Sequence, residues 1–489
     1  MKSLFHGAFL RGASAKAFSG ALAISLAACT ANPQPLDRPG DVPEAFTAPM
    51  NKSAPVWPQV DWWSKFGAAE LAPLEVTAQK ENLDVVQAAA RVLQAEASDG
   101  VALAALFPTL NANFNSSRSG SNSPSRSTGL RASNAFSAGL SASYQQGFFG
   151  TQYLLLQAQR EDLRAQRYAA AVTGISVSTQ VAQEYFTILS FRERIAIANS
   201  NIAAAKRILA ITQAKVNSGV SSNLDLAEQQ AILAQQESTL PGFIQAERQA
   251  RYSLAVLMGR APEGFDIKTQ NLDGIDAPSV QPGLPSELLL RNPSIAQAEA
   301  QLFAAHANVD AARSQYFPSL NLSGGASFGP VSQLSNLFGP AGFVWNIGAG
   351  VLQTIFDGGR IHAQNDQAKA VQLELIANYR KTVFTAFEDV ESNLDLVKST
   401  TDQLALVEIQ TKADAEAFRI SELQYREGTI DILSLLTNQQ RLFNDQQALV
   451  QSKLSRLEVH LALYSALGGG WDQKTDDASY KNQLDWWPL

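Results

Sequence analysis

The chain has 489 residues, 45% apolar and 17% charged, with 38 Lys+Arg against 45 Asp+Glu and a formal net charge of −7. That is too apolar for a disordered chain and too poor in positive charge for a nucleic-acid binder. A single cysteine excludes an internal disulfide and a cysteine-rich zinc site. Beyond the N-terminus no apolar run reaches the ~18 residues of a membrane helix, which excludes a helical multi-span protein.

Residues 1–28 read as an export signal. Lys2, Arg11 and Lys16 form its positive end and Ala17 to Ala28 its apolar, small-residue stretch. It ends Leu26-Ala27-Ala28-Cys29, the pattern of a bacterial lipoprotein signal, and the only cysteine stands where acylation requires it. Acyl chains on Cys29 would anchor the mature chain, since a single chain binds a membrane only marginally. Thr30 follows the cysteine, which favours sorting to the outer membrane. Removal of the signal takes three basic residues and no acidic one, so the mature chain is the more acidic. Residues 29–65 form a lipidated extended segment. It closes on Trp62-Trp63, a packing anchor like Trp486-Trp487 at the far end of the chain.

From there the chain is duplicated. Phe107-Pro108-Thr109-Leu110-Asn111 recurs as Phe317-Pro318-Ser319-Leu320-Asn321. Gly219, Leu224, Leu226 and Leu233 recur as Gly428, Leu433, Leu435 and Leu442, and Leu257-Met258-Gly259 as Ala466-Leu467-Gly468. One offset held over so long a stretch marks a tandem duplication. The first repeat spans 66–262 and the second 284–470. Residues 263–283, rich in Gly, Pro and Asp, form a linker, and 471–489 a tail.

Each repeat follows one plan. A medium helix (70–106; 286–316) leads to a strand (109–115; 319–328), a polar loop (116–133; 329–341) and a second strand (134–145; 342–351). A long helix (151–216; 360–426) then meets a tight turn at Gly219 or Gly428 and a last helix (222–258; 430–467). The long helices keep a seven-residue beat. Val181, Ile188, Ile195, Ile202, Leu209 and Val216 mark the first. Ile376, Val383, Val390, Val397 and Leu404, then Phe418 and Tyr425, mark the second. Leu436, Phe443, Val450, Leu457 and Tyr464 mark the last helix. Unbroken sevens predict left-handed coiled-coil packing. A helix of that length is about 100 Å long, a reach no compact domain needs.

The strands alternate. Asn111, Asn113 and Asn115 oppose Leu110, Ala112 and Phe114. Ser137, Ser141 and Ser143 oppose Phe136, Leu140 and Tyr144. Asn321 and Ser323 oppose Leu320 and Leu322, and Asn346 opposes Trp345 and Ile347. The polar face is small and uncharged, and the apolar face carries aromatics near its ends. That suits an apolar side toward lipid and a polar side toward a lumen better than a soluble sheet with one buried face. Four strands cannot close a barrel, and open edges are not tolerated in lipid. The chain is therefore expected to oligomerise, and three copies give an allowed twelve-stranded barrel. The predicted fold is mainly α, with a long coiled-coil tunnel and four membrane strands per chain.

The chain resembles the outer-membrane factor (TolC-like) family in its lipoprotein branch. Cys29, Asp61-Trp62-Trp63, Asn82-Leu83-Asp84, the two Phe-Pro-x-Leu strand starts, the Gly219 and Gly428 turns, and Leu433 to Leu436 with Gln439-Gln440 carry the resemblance over about residues 57–470. It implies a homotrimer, one shared barrel in the outer membrane of a Gram-negative bacterium, and a helical tunnel through the periplasm. The implied partners are a periplasmic adaptor and an inner-membrane pump of RND or ABC type, the duct itself being passive. It implies that Asn111, Asn113, Asn115, Ser137, Ser141, Ser143, Asn321, Ser323 and Asn346 line the pore, and that the Gly219 and Gly428 tips form the closed periplasmic end. In that family acidic residues six and nine positions after the second tip glycine ring the entrance; here Ser434 and Thr437 stand there. The expected gate is therefore packing of Leu433, Leu435 and Leu436, with Asp431 contributing.

The Ser-rich loop with Arg118, Arg126 and Arg131 reads as solvated, contact with acidic lipopolysaccharide being the alternative. Acidic helix residues such as Glu184, Glu193, Asp389 and Glu391 read as solvated or as a cation-tolerant tunnel lining. His306, His362 and His460 have no metal-ligand spacing, no cofactor beyond the lipid on Cys29 is expected, and no nucleophile elbow or phosphate loop supports an enzyme. A structural coiled-coil lipoprotein explains the heptads but not four alternating strands. Small-molecule efflux is preferred to type I protein secretion as the duct's task.

Overall fold

The computed structural model describes residues 43, 45–47, 57–121, 131–278, 283 and 285–471. The signal peptide, Cys29, Arg126 and Trp486-Trp487 lie outside the described residues. In chain order the elements are α1 (Leu71–Glu81), α2 (Leu83–Ala104), β1 (Thr109–Ser121), β2 (Arg131–Gly147), α3 (Thr151–Asn217), α4 (Asn223–Leu257), α5 (Pro285–Leu288), α6 (Pro293–Ser314), β3 (Ser319–Val331), β4 (Phe343–Leu352), α7 (Arg360–Glu427) and α8 (Ile432–Ala466). The long helices α3 and α7 have 67 and 68 residues, and α4 and α8 have 35 each.

Two predicted helices are broken. The helix expected over 70–106 stops at Asn82, whose ψ of 131° takes the backbone out of the helix. The Asn82 side chain then restarts it, accepting from Asp84 N at 2.8 Å and Val85 N at 3.1 Å. Asn292 does the same before Pro293, accepting from Ser294 N at 2.9 Å. Such a cap satisfies the first amides of a new helix, and Pro293 at its first position has no amide to satisfy.

The described residues form two compact units. One contains residues 94–164 and 299–378 and holds the sheet, whose strand order is β1-β2-β3-β4, antiparallel throughout. The strands outrun their expected ends. Ser119 Oγ lies 3.1 Å from Ser133 Oγ, and pairing continues to Ser121 opposite Arg131. Loop-like composition is overruled here by the ladder, whose paired positions satisfy backbone groups that a loop would leave to solvent.

The other unit contains residues 57–93, 165–298 and 379–471. Its main core gathers Trp62, Phe66, Leu71, Val181, Tyr185, Phe186, Ile188, Leu254, Val450, Leu457 and Tyr464. Trp62 stacks on Tyr464 at 5.2 Å, which makes the Trp62-Trp63 pair the packing anchor expected. The sevens are buried along α7 and α8: Val383, Val390, Leu404, Phe418 and Tyr425 on one, Leu436, Phe443, Val450, Leu457 and Tyr464 on the other.

The stretch predicted as a linker is packed onto this unit. Ile267 and Leu272 are buried. Glu70 accepts from Lys268 N at 2.9 Å and from Thr269 N at 3.0 Å, bonds that hold its carboxyl below the ordinary range against the opposing cost of burial. Arg192 donates to the carbonyls of Ile267 and Thr269 at 2.7 and 2.8 Å.

Candidate functional site

The sheet register places the polar positions in rows. Asn111 faces Ser141, which faces Gly325, which faces Asn346. Beside it run Thr109, Ser143, Ser323 and Gly348, then Asn113, Gly139, Ser327 and Val344. Asn115 faces Ser137, and Gln145 faces Asn321. Side chains alternate across a strand, so all nine predicted lining residues share one face. Val344 is the apolar exception on that face.

The opposite face is apolar and exposed. Its rows are Leu110, Ala142, Gly324 and Ile347; Ala112, Leu140, Ala326 and Trp345; and Phe114, Ala138, Phe328 and Phe343. Ile347 is 83% exposed and Leu110 70%. A soluble sheet hides such a face; here Phe338 of the β3–β4 connection packs on Phe328 at 5.2 Å, while Leu110, Leu140, Trp345 and Ile347 stay exposed. β1 and β4 each pair on one side only. The sheet thus offers three unsatisfied surfaces: an apolar face and two edges.

At the other functional region, the two helix–helix turns are copies of each other. Gly219 and Gly428 have φ of 76° and 79°, where a side chain would be strained. Each ends its helix with paired turn bonds. Gly219 N donates to Val216 O at 2.9 Å and Val220 N to Lys215 O at 2.8 Å; Gly428 N donates to Tyr425 O at 3.1 Å and Thr429 N to Gln424 O at 2.9 Å. The next helices are capped by different chemistry. Ser222 and Asp225 form a reciprocal capping box on α4. On α8 the cap is Asp431, whose Oδ1 accepts from Ser434 N at 2.8 Å and whose carboxyl is held below the ordinary aspartate range by that bonding to Ser434.

The predicted gate residues therefore separate. Leu435 and Leu436 are buried in the chain's own cluster with Ile208, Phe418, Tyr425, Leu442 and Phe443. Leu433 is exposed, as are Ser434 and Thr437, whose hydroxyl donates to Leu433 O at 2.8 Å. Val220 and Leu224 are exposed at the first turn. The two hairpins are tied by Tyr425, whose hydroxyl lies 3.2 Å from Thr212 Oγ1 and whose carbonyl accepts from Lys215 Nζ.

The acidic residues read as solvated divide too. Glu193 is paired with Lys453 at 3.0 Å and accepts from Leu272 N at 3.2 Å. Burial raises the carboxyls of Glu184 and Asp389, the latter also through Glu388. Glu75, which the sequence analysis passed over, is fully buried on α1 with neither carboxyl oxygen hydrogen-bonded, and burial raises its carboxyl well above the ordinary range. Its place on the buried face of a periodic helix was the available signal. Among the described residues no three His, Cys, Asp or Glu side chains gather to hold a metal, and no helix is long and apolar enough to cross a membrane.

The outer membrane efflux protein family matches this chain over residues 74–260 and 284–469. The pyoverdine export outer membrane protein OpmQ of Pseudomonas aeruginosa is 35% identical over 463 residues, covering 94% of this chain and 97% of that one. The cation efflux system protein CusC of Escherichia coli K12 is 28% identical over 453 residues, covering 92% and 98%. Among solved structures, the open state of the Neisseria gonorrhoeae MtrE outer membrane channel superposes with a TM-score of 0.80 at 27% identity, over 90% of this chain and 98% of that one. The match takes in both repeats, and the chain belongs to the outer membrane efflux protein family.

Proposed function

We propose that the chain is one third of a passive exit duct, anchored through Cys29 in the outer membrane and carrying small toxic compounds delivered by an inner-membrane pump and a periplasmic adaptor. The observation that carries this reading is the two-faced sheet with two open edges. β1 and β4 run antiparallel in an even-numbered sheet, so β4 of one copy can pair with β1 of the next by simple rotation. Two copies would give eight strands, an interior that side chains fill. Three give twelve and leave a lumen, lined by Asn111, Asn113, Asn115, Ser137, Ser141, Ser143, Asn321, Ser323 and Asn346, with Leu110, Leu140 and Ile347 toward lipid.

The turns at Gly219 and Gly428 are the docking end, where exposed Val220, Leu224 and Leu433 offer apolar contact. In the gate, Leu433 meets neighbouring copies while Leu435 and Leu436 hold its helix in place. Asp431 contributes its charge as well as its cap. If Asp431→Ala leaves cation preference unchanged in conductance measurements, the charge has no part in the gate. The relatives' named cargoes, pyoverdine and cations, favour small solutes. Deletion of the gene should sensitise cells to a panel of toxic compounds, and the tagged chain should co-purify an adaptor. Unchanged tolerance together with a lost secreted protein would transfer the duct to protein export.

A further inference from the structure

In the second hairpin two carboxyls meet across the helix pair. Asp414 on α7 is 5% exposed, and Arg441 of α8 reaches its Oδ1 at 3.1 Å. Asp445 stands one turn further along α8. Gln410 Nε2 donates to its Oδ1 at 2.9 Å, and Thr411 Oγ1 donates to its backbone carbonyl at 3.4 Å. Its second oxygen, Oδ2, is shielded from solvent and receives no hydrogen bond. The two carboxyls stand side by side: Gln410, one turn before Asp414 on α7, reaches Asp445, and Arg441, one turn before Asp445 on α8, reaches Asp414. Two ionised carboxylates only accept, so this contact is a bond only while one of them keeps a proton.

The first hairpin has no such pair. At the 209-residue offset its equivalents are Ala205 and Gln236. There buried Gln229 donates to the Ala205 carbonyl at 3.0 Å, a neutral tie that no proton controls. In the second hairpin the fully buried Gln439 has neither amide atom paired. The pairing of α7 with α8 therefore brings two like charges together, where that of α3 with α4 joins opposite ones, Arg192 to Glu247 at 3.1 Å and Lys206 to Glu237 at 2.9 Å.

We propose that Asp414 and Asp445 are a proton-dependent latch that holds α7 to α8 while one proton is shared and loosens the second hairpin when that proton leaves to solvent. The charged groups facing Asp445 are Asp414 from α7 and Arg441 from its own helix; Gln410 and Thr411 of α7 complete the surroundings. With one proton the three charged side chains sum to zero, and Arg441 balances one carboxylate. Without it a second negative charge is left with no counter-ion. Burial first, then the Asp414 carboxyl, raises Asp445 above the ordinary aspartate range, while Gln410 and Arg441 oppose the rise. A raised acid stabilises the pairing below its unfolded value, and that stability is lost as pH rises through the folded value.

The test is amide exchange on the full chain in detergent across a pH series, corrected for intrinsic rates. It compares α8 around residues 442–450 with the matching stretch of α4. The ratio should fall about tenfold with rising pH as the shared proton is lost. In Asp445→Asn the amide donates to Asp414 at every pH, so the ratio should stay flat at its acid value. If that variant does not assemble, Asp414→Asn makes the same comparison. A flat ratio in the unmodified chain, or an unchanged slope in the Asn variant, overturns the latch. The measurement reads helix pairing alone, so it can fail while the channel reading stands, and the reverse.

Discussion

Asn82 Nδ2 donates to the carbonyl oxygen of Leu257 at 2.9 Å, and in the second repeat Asn292 Nδ2 donates to Ala466 O at 3.2 Å. Each asparagine thus caps one helix and ties it to the exposed carbonyl end of another, 175 residues away in one repeat and 174 in the other. The contact is close: a side chain on Gly259 would sit 2.2 Å from Glu81 O, and one on Gly468 2.2 Å from Arg291 O. The same cap, tie and close-packed glycine thus stand at matching places in both repeats.

Asn82→Ala should therefore cost about 1–2 kcal/mol, a lost cap plus a part-buried carbonyl deprived of this donor. Asn82→Asp should recover the cap but not the tie, and fall between. Thermal unfolding followed by circular dichroism checks the order; equal midpoints for Asp and Asn would remove the tie.

On β4, neighbouring positions should behave oppositely. Lysine at Ile347 enters the apolar face and should oppose membrane assembly by about 2–4 kcal/mol at the bilayer midplane. Asn346→Lys enters the polar face, should assemble normally and should turn the channel toward anions. Outer-membrane yield of heat-modifiable protein and reversal potentials in planar bilayers check the pair.

Gly428→Val puts a β-branched side chain at a φ of 79°. The strain is about 1–2 kcal/mol, confined to a solvent-exposed turn. Efflux should drop while assembly is kept. Full resistance in cells carrying this variant would mean that the turn is not where the partner docks.

Glu75 makes a pH prediction. Burial raises its carboxyl well above the ordinary range, so the neutral form is the one the fold accepts. Its contribution is complete at acid pH and is lost as pH rises through the folded value. Glu75→Gln should match the unmodified chain in acid and be the more stable above that value. Thermal midpoints across pH for both chains check this; parallel curves contradict it.

Much of this was legible in the sequence for a physical reason. Period-two alternation is local, so Asn111, Ser141, Gly325 and Asn346 were destined for one face once the strands paired. The heptads likewise foretold burial at Val390 and Val450. What was illegible depended on partners distant in the chain. Asn82 breaks a helix because Leu257 offers it a carbonyl. Ser117 to Ser121 form strand because residues 131–135 pair with them, although their composition reads as loop. Residues 263–278 read as a linker until Glu70 and Arg192, far earlier in sequence, bind their backbone. Leu435 and Leu436 read as a gate surface, yet heptad neighbours on α7 bury them. Cys29 lies outside the described residues, and palmitate release assays on the expressed protein are its direct test.

The central claim is that each chain supplies four strands of a closed wall. Native mass spectrometry of the full chain extracted in detergent reads the copy number without assumption. Three times the mass of the processed, acylated chain, with ion conduction when the same sample is placed in a planar bilayer, is the predicted result. A single-chain mass that persists in buffer free of detergent would contradict it.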